Sequence, residues 1–276
     1  MATKIDLEMI RKKLKTLQTS NTSKTKQFVW KPKPGINQIR IVPNQYQKDY
    51  PFQELFFHYE FGRKSYLSPA TFKDPDPIAE FADSLSDTGN KEDWLMSRKL
   101  QPKMRTFVPI IVRGEEKEGT KFWGFGSDIY KELLGYLADP DYGDITDSEA
   151  GRDIIVTFST PEEAGNTYGK IGIKVKPRES KITDDVDLKT KILEDQPDIF
   201  DVYEQSTYDE LKNVLKKWLE NNTETDPDKN PTKITEDKID IGTTIDVDDE
   251  LDDLIPSPKS KSKTDKILDD FDDLLK

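Results

Sequence analysis

The stretch from Met104 to Gly126 constrains the fold more than any other. Two runs rich in β-branched and aromatic residues, MRTFVPIIVRG and TKFWGFG (Thr120 to Gly126), flank a charged turn, GEEKEG, bounded by glycines. Paired strand-like runs around a short Gly-containing turn are the signature of a β-hairpin. A second hairpin pattern follows, with RDIIVTFS (Arg152 to Ser159) and GKIGIKVKP (Gly169 to Pro177) joined across TPEEAGNTY. Earlier in the chain, INQIRIV (Ile36 to Val42) alternates as a strand does. ELFFHYEF (Glu54 to Phe61) reads as another strand, and KSYLS (Lys64 to Ser68) as a short partner after Gly62.

Helical patterns interrupt the strands. DPDPIAEFADSL places Pro77 in a first helical turn, SDIYKELLGYL is predicted to be capped by Ser127, and Thr207 with Glu210 gives TYDELKNVLKKWLE (Thr207 to Glu220) a capping-box spacing. Strands, helix and strands again predict a mainly β, α+β chain. An OB-type five-stranded Greek-key barrel with inserted helices fits the pattern, and so does an unrelated α+β sheet.

Charge divides the chain into three. Residues 1–40 hold ten Lys/Arg against two Asp/Glu, residues 181–276 hold 14 Lys against 28 Asp/Glu, and the stretch between carries the remaining −6 of a net −12. Residues 1–18 read as an amphipathic helix, with Ile5, Met9 and Leu14 near one face and RKKLK (Arg11 to Lys15) in its last turns. The Ser/Thr-rich stretch after it is a linker. Residues 1–26 are therefore taken as a basic segment, 27–220 as the core and 221–276 as an acidic, disordered tail. That tail repeats one phrase, DDELDDLI (Asp248 to Ile255) and then KILDDFDDLLK (Lys266 to Lys276), threading acid pairs between apolar residues. Acid alone suffices for solubility. The interleaved Leu251, Leu254, Phe271, Leu274 and Leu275, beside Asp269, Asp270, Asp272 and Asp273, suggest docking to partner proteins.

Composition narrows the chemistry. The chain has no cysteine and a single histidine, His58, so thiolate, disulfide and His-rich metal chemistry are not expected and no metal site is predicted. GFGSDIYKE is not a phosphate-binding glycine motif. No catalytic residues are predicted. No apolar run approaches the ~18 residues of a membrane span, so a soluble, cytoplasmic protein is the expectation. What stands out is interleaving of rings and cations through the expected strands: Tyr59, Phe61, Arg63, Lys64 and Tyr66; Trp94, Arg98, Lys99, Lys103 and Arg105; Lys121, Trp123 and Phe125; and Lys174 among Lys170, Lys176 and Arg178. Exposed rings stack on unpaired bases for ~1–3 kcal/mol each while cations follow the phosphates, which makes this the predicted nucleic-acid-binding set. Because strands bury alternate residues, some of these rings, with Phe56, Phe107 and Phe122, are expected to be core. A protein-interaction adaptor whose barrel binds peptide is the alternative, favoured by the acidic middle.

The layout resembles the replicative single-stranded-DNA-binding proteins of T-even-type tailed phages. The residues that carry the resemblance are the basic N-terminal helix, HYEFGRKSYL with DPDPIAEF, the hairpin and helix IIVRGEEKEGTKFWGFG and IYKEL, and the terminal LDDFDDLL. It covers nearly the whole chain. It implies an OB-type core that binds single-stranded DNA cooperatively and without sequence preference in replication, recombination and repair, within the cytoplasm of an infected bacterial host. It also implies self-association through the basic segment, here Lys4, Arg11, Lys12, Lys13 and Lys15. The tail would recruit the polymerase, helicase-loader and recombination proteins. Trp94 and Trp123 stand where the family has tyrosines, and Arg105 replaces another. The family pattern includes a zinc held by one His and three Cys. Here Asp76-Pro77-Ile78-Ala79 stands where the family has Cys-Pro-x-Cys, so no zinc is expected and packing by Pro77, Ile78 and Phe81 is expected in its place.

Overall fold

The structure is a computed structural model that describes residues 27–62 and 65–223. The basic N-terminal segment with Lys4, Arg11, Lys12, Lys13 and Lys15, the pair Arg63 and Lys64, and the tail with both acidic phrases lie outside the described residues. The fold is mixed α+β, and the described residues divide into two compact units. The first draws on residues 27–53 and 106–204, the second on residues 54–105 and 205–223.

The first unit is built on a mostly antiparallel sheet. Its strands are β1 (Val29–Trp30), β2 (Gly35–Ile41), β5 (Lys103–Val112, from Thr106 onward), β6 (Lys121–Phe125), β7 (Arg152–Ser159) and β8 (Lys170–Glu179). They run in the order β1-β6-β5-β2-β7-β8, and only the β1–β6 pairing is parallel. The path ends at β1 on one side and β8 on the other without a pairing between them, so the sheet is not closed among the described residues. Both hairpins form as the sequence indicates. β5 and β6 pair with Val108 opposite Trp123, and β7 and β8 with Val156 opposite Ile173. Gly114 and Gly119 bound the charged turn with φ of 90° and 81°, a backbone region that glycine enters without the Cβ clash other residues meet.

Buried side chains run continuously along β5 and β6, including Phe107, Val108, Ile110, Ile111, Phe122, Trp123 and Phe125. Strands covered on both faces lose the in-out alternation of a half-exposed strand. Helix α3 (Ser127–Ala138) follows β6 directly. Its cap is Gly126 and carries no side-chain bond, whereas Ser127 is already the first helical residue; the expected Ser127 cap is corrected by one position. The β7–β8 connection folds into a short helix, α4 (Pro161–Ala164), closed by a Thr160/Glu163 capping box. Two further helices, α5 (Val186–Glu194) and α6 (Ile199–Val202), complete this unit. Both were missed in the sequence, being short, yet Asp185 and Asp198 cap them as N-cap residues should.

The second unit pairs β3 (Gln53–His58) with β4 (Tyr66–Leu67) and carries helices α1 (Pro77–Ser86), α2 (Lys91–Leu100) and α7 (Tyr208–Thr223). Its core gathers Ile78, Phe81, Ala82 and Leu85 of α1, Leu100 of α2, and Leu211, Leu215 and Leu219 of α7. Pro77, Ile78 and Phe81 are therefore packing residues, as expected. The capping box of α7 is present: Glu210 N donates to Thr207 Oγ1 at 3.3 Å and Thr207 N to the Glu210 carboxylate at 2.9 Å.

Candidate nucleic-acid interface

In the second unit, helix α2 presents an exposed ring together with exposed cations. Asn90 caps it by accepting from Glu92 N at 3.0 Å, Glu92 and Asp93 sit in its first turn, and Arg98 and Lys99 sit in its last. That polarity matches the helix dipole at both ends. Asp93, Ser97 and Leu100 are buried, which turns Trp94, Arg98 and Lys99 outward. Trp94 is 41% exposed, and the Arg98 guanidinium lies 5.2 Å from its ring centroid. Residues four apart share a helix face, so the stacked pair follows from the spacing. Lys103, at the start of β5, is exposed and donates to the Arg98 carbonyl at 3.0 Å. Among the described residues, none of Arg98, Lys99 and Lys103 is in an ion pair. The sequence placed Trp94, Arg98 and Lys99 among strands; they stand on a helix instead.

Other predicted residues of this unit are turned partly inward. Arg105 is 8% exposed and hydrogen-bonds the Tyr59 hydroxyl. Burial pushes that hydroxyl's pKa up, and Arg105 opposes the rise. Phe61 and Tyr66 meet edge-on at 6.4 Å and pack against the helical core, with Trp218 at 5.8 Å from Phe61. These three rings contribute packing first and only a partial surface.

The first unit corrects two predictions. Trp123 is 0% exposed and Phe125 1%, so neither ring offers a face to a base. They pack in T-shaped contacts with each other at 4.7 Å, and Trp123 also with Trp30 at 5.9 Å. The reason is that β6 lies between β1 and β5 and is buried along nearly its whole length. Lys121 is half-buried and its charge is already answered, by Glu118 at 2.5 Å and Glu115 at 3.9 Å. The hydrogen bond from Lys121, and then its charge, hold the Glu118 carboxyl below its ordinary value. Lys33 and Arg113 are tied to the same turn, through Glu115 and Glu116. The acids of GEEKEG therefore neutralise local cations.

Lys174 is exposed on β8, on the same face as Lys170 four residues earlier. Lys170, Lys174, Lys176 and Arg178 make no ion pair among the described residues. Tyr168, 49% exposed just before this strand, was missed. An aromatic in a polar hairpin turn, where no core awaits it, was the signal for it.

His58 is not exposed chemistry. It is 1% exposed, and its ring nitrogens lie 2.9 Å from the Leu100 carbonyl and 2.8 Å from the Asp76 carboxylate. Ser68 also donates to that carboxylate, whose other oxygen caps α1 by accepting from Ile78 N at 2.9 Å and Ala79 N at 3.2 Å. Asp74 is exposed and takes no part in this cluster. Among the described residues no group of three or more His or acidic side chains is placed to hold a metal ion. No helix of the described residues is long and apolar enough to cross a membrane. No protein-family model matches the chain, and no curated protein sequence matches it.

Proposed function

We propose that the chain is a non-enzymatic, single-stranded-DNA-binding protein that coats transient single strands in phage DNA replication, recombination and repair, without sequence preference. The observation that carries this reading is the Trp94–Arg98 pair. An indole that is stacked by a guanidinium and still 41% exposed, beside Lys99 and Lys103, combines a stacking surface with uncompensated positive charge. Base stacking on such a ring contributes about 1–3 kcal/mol, and every base has a face to offer, so the contact tolerates sequence. The β8 cations and Tyr168 present the same chemistry on the other unit.

The remaining elements of the reading follow from the resemblance and the charge distribution. They are an OB-type architecture for the core, cooperative self-association through the basic segment and recruitment of replication proteins by the acidic tail. Host cytoplasm as the setting and independence of a zinc ion or other cofactor complete it.

The test is titration of intrinsic tryptophan fluorescence with oligo-dT at low salt. The chain has four tryptophans; Trp30 and Trp123 are buried, Trp218 is partly buried and Trp94 is exposed. Quenching is expected in the natural chain and is expected to be largely lost in Trp94→Ala. Absence of binding at low salt would overturn the reading and turn attention to the adaptor alternative.

A further inference from the structure

We propose that the open face of β2, β7 and β8 is a second single-strand-binding surface, on which a base approaches the sheet backbone at Gly172 while phosphates lie on Lys170 and Lys174. This rests on the nucleic-acid reading and extends it from α2 to the first unit. Gly172 stands inside β8, two residues from each of these lysines. It is not among the glycines with positive φ, and a Cβ built there would meet nothing within 4 Å. Neither backbone conformation nor crowding therefore demands glycine. A glycine inside a strand gives up side-chain packing, and it marks a bulge, a tight bend or the close approach of a ligand or another backbone. No bulge lies here, since Ile171, Gly172 and Ile173 pair in unbroken register with Phe158, Thr157 and Val156. No backbone of the described residues comes near. Close approach of a ligand is the reason left.

The row that crosses the sheet at this glycine is open. Gly172 pairs with Thr157, and Thr157 with Ile36. All three are exposed, Ile36 to 78%. The alternate residues Ile171, Ile173 and Val175 turn to the other face, half-buried or buried. In the next row Lys174 pairs with Ile155, and Ile155 with Gln38. Asp153, two residues before Ile155 on β7, is the acid nearest in sequence to that row. Its carboxylate is already taken, by Arg113 at 2.6 Å and by Gln38 Nε2 at 2.7 Å. Lys170 and Lys174 are thus exposed cations without an ion pair among the described residues, about 13 Å apart along the strand, with bare backbone between them.

Charge complementarity selects the occupant. A chain of phosphates with flat bases between them fits two cations that flank a position without a side chain. The phosphates meet the ammonium groups, and the base lies where glycine lets it reach the backbone. Tyr168, 49% exposed and two residues before Lys170, supplies a ring where β8 begins. Addition of a peptide strand to the edge is disfavoured. β8 ends the sheet path, but it carries lysines and Pro177, which blunt strand pairing.

The test uses the full chain and the anisotropy of a fluorescently labelled oligo-dT, a readout independent of Trp94. Gly172→Leu fills the open position without a clash in the fold, so its thermal melting should match the natural chain while its oligo-dT affinity falls severalfold. Lys170→Gln/Lys174→Gln should make the slope of log affinity against log salt shallower by about 1.4, at about 0.7 for each phosphate contact. Unchanged affinity in Gly172→Leu, or an unchanged slope in the lysine variant, overturns the second surface. Should Gly172→Leu melt early, the lysine variant alone decides. Binding that Trp94→Ala weakens and the β8 variants leave intact removes this surface and keeps the functional reading. Failure of the natural chain to bind oligo-dT at low salt overturns both.

Discussion

Trp94 and Trp123 show how differently one residue type is used. Both occur in ring-and-cation stretches, and sequence offers no means to tell them apart, because alternation fails on a strand buried on both faces. What separates them is placement: Trp94 on an outward helix face, Trp123 within β6. Trp123→Ala is therefore expected to destabilise the protein by about 3–5 kcal/mol through the cavity it leaves. Trp94→Ala is expected to leave stability within about 0.5 kcal/mol, as exposed substitutions do. Chemical denaturation of both variants checks the contrast.

A second residue-scale demand lies at Gly151. A Cβ there would stand 2.3 Å from Arg40 Nη2 and 2.4 Å from the Asp147 carbonyl. Arg40 is fully buried and donates to the Ser180 carbonyl at 2.9 Å, and burial lowers its pKa to about 10. Gly151→Ala should therefore disturb an arginine whose partners are fixed, destabilising by about 1–3 kcal/mol as overpacked sites do. Thermal melting reads the loss. Nothing in the sequence marks this glycine, since the groups that crowd it are brought there by the fold.

At the scale of elements, legibility followed local chemistry. The two hairpins, α1 with its leading Pro77 and α7 with its Thr207/Glu210 box were readable because turn, proline and cap signals lie within a few residues of one another. Thr207→Ala removes one half of the box and is expected to destabilise α7 by about 0.5–2 kcal/mol in urea unfolding. Helix α2 was not read. Its apolar residues are few, and its buried set includes Asp93 and Ser97, so no apolar stripe announces it. Yet that helix carries the candidate interface.

Helix α1 also carries a pH dependence. Burial of Asp76 favours its neutral form, but the hydrogen bond and charge of His58, with the Ser68 hydroxyl and Ala79 amide, outweigh this and lower its pKa. A lowered folded value stabilises the native state above the unfolded aspartate pKa of about 3.9 and loses that contribution as pH falls through the folded value. Stability of the natural chain should drop more steeply below about pH 4 than that of Asp76→Asn. Parallel curves in acid urea titrations would contradict the assignment.

For the whole molecule, the informative quantity is where positive charge remains uncompensated. The net charge is −12, a poor advertisement for binding polyanions. Sequence counts cations without showing which are already answered. The fold does show it: Lys33, Arg113 and Lys121 are tied to the acids of one turn, while Arg98, Lys99, Lys103 and the β8 cations are not. The charge contrast between the ends of the chain was legible directly, because it is a property of composition.

The most direct test of the central claim is the salt dependence of oligo-dT binding, compared between the natural chain and Arg98→Gln/Lys99→Gln/Lys103→Gln. Each cation that neutralises a phosphate of a single strand contributes about 0.7 to the slope of log affinity against log salt. Loss of three such contacts should make the slope shallower by about 2. An unchanged slope with unchanged affinity would contradict the placement of the nucleic acid on the α2 face.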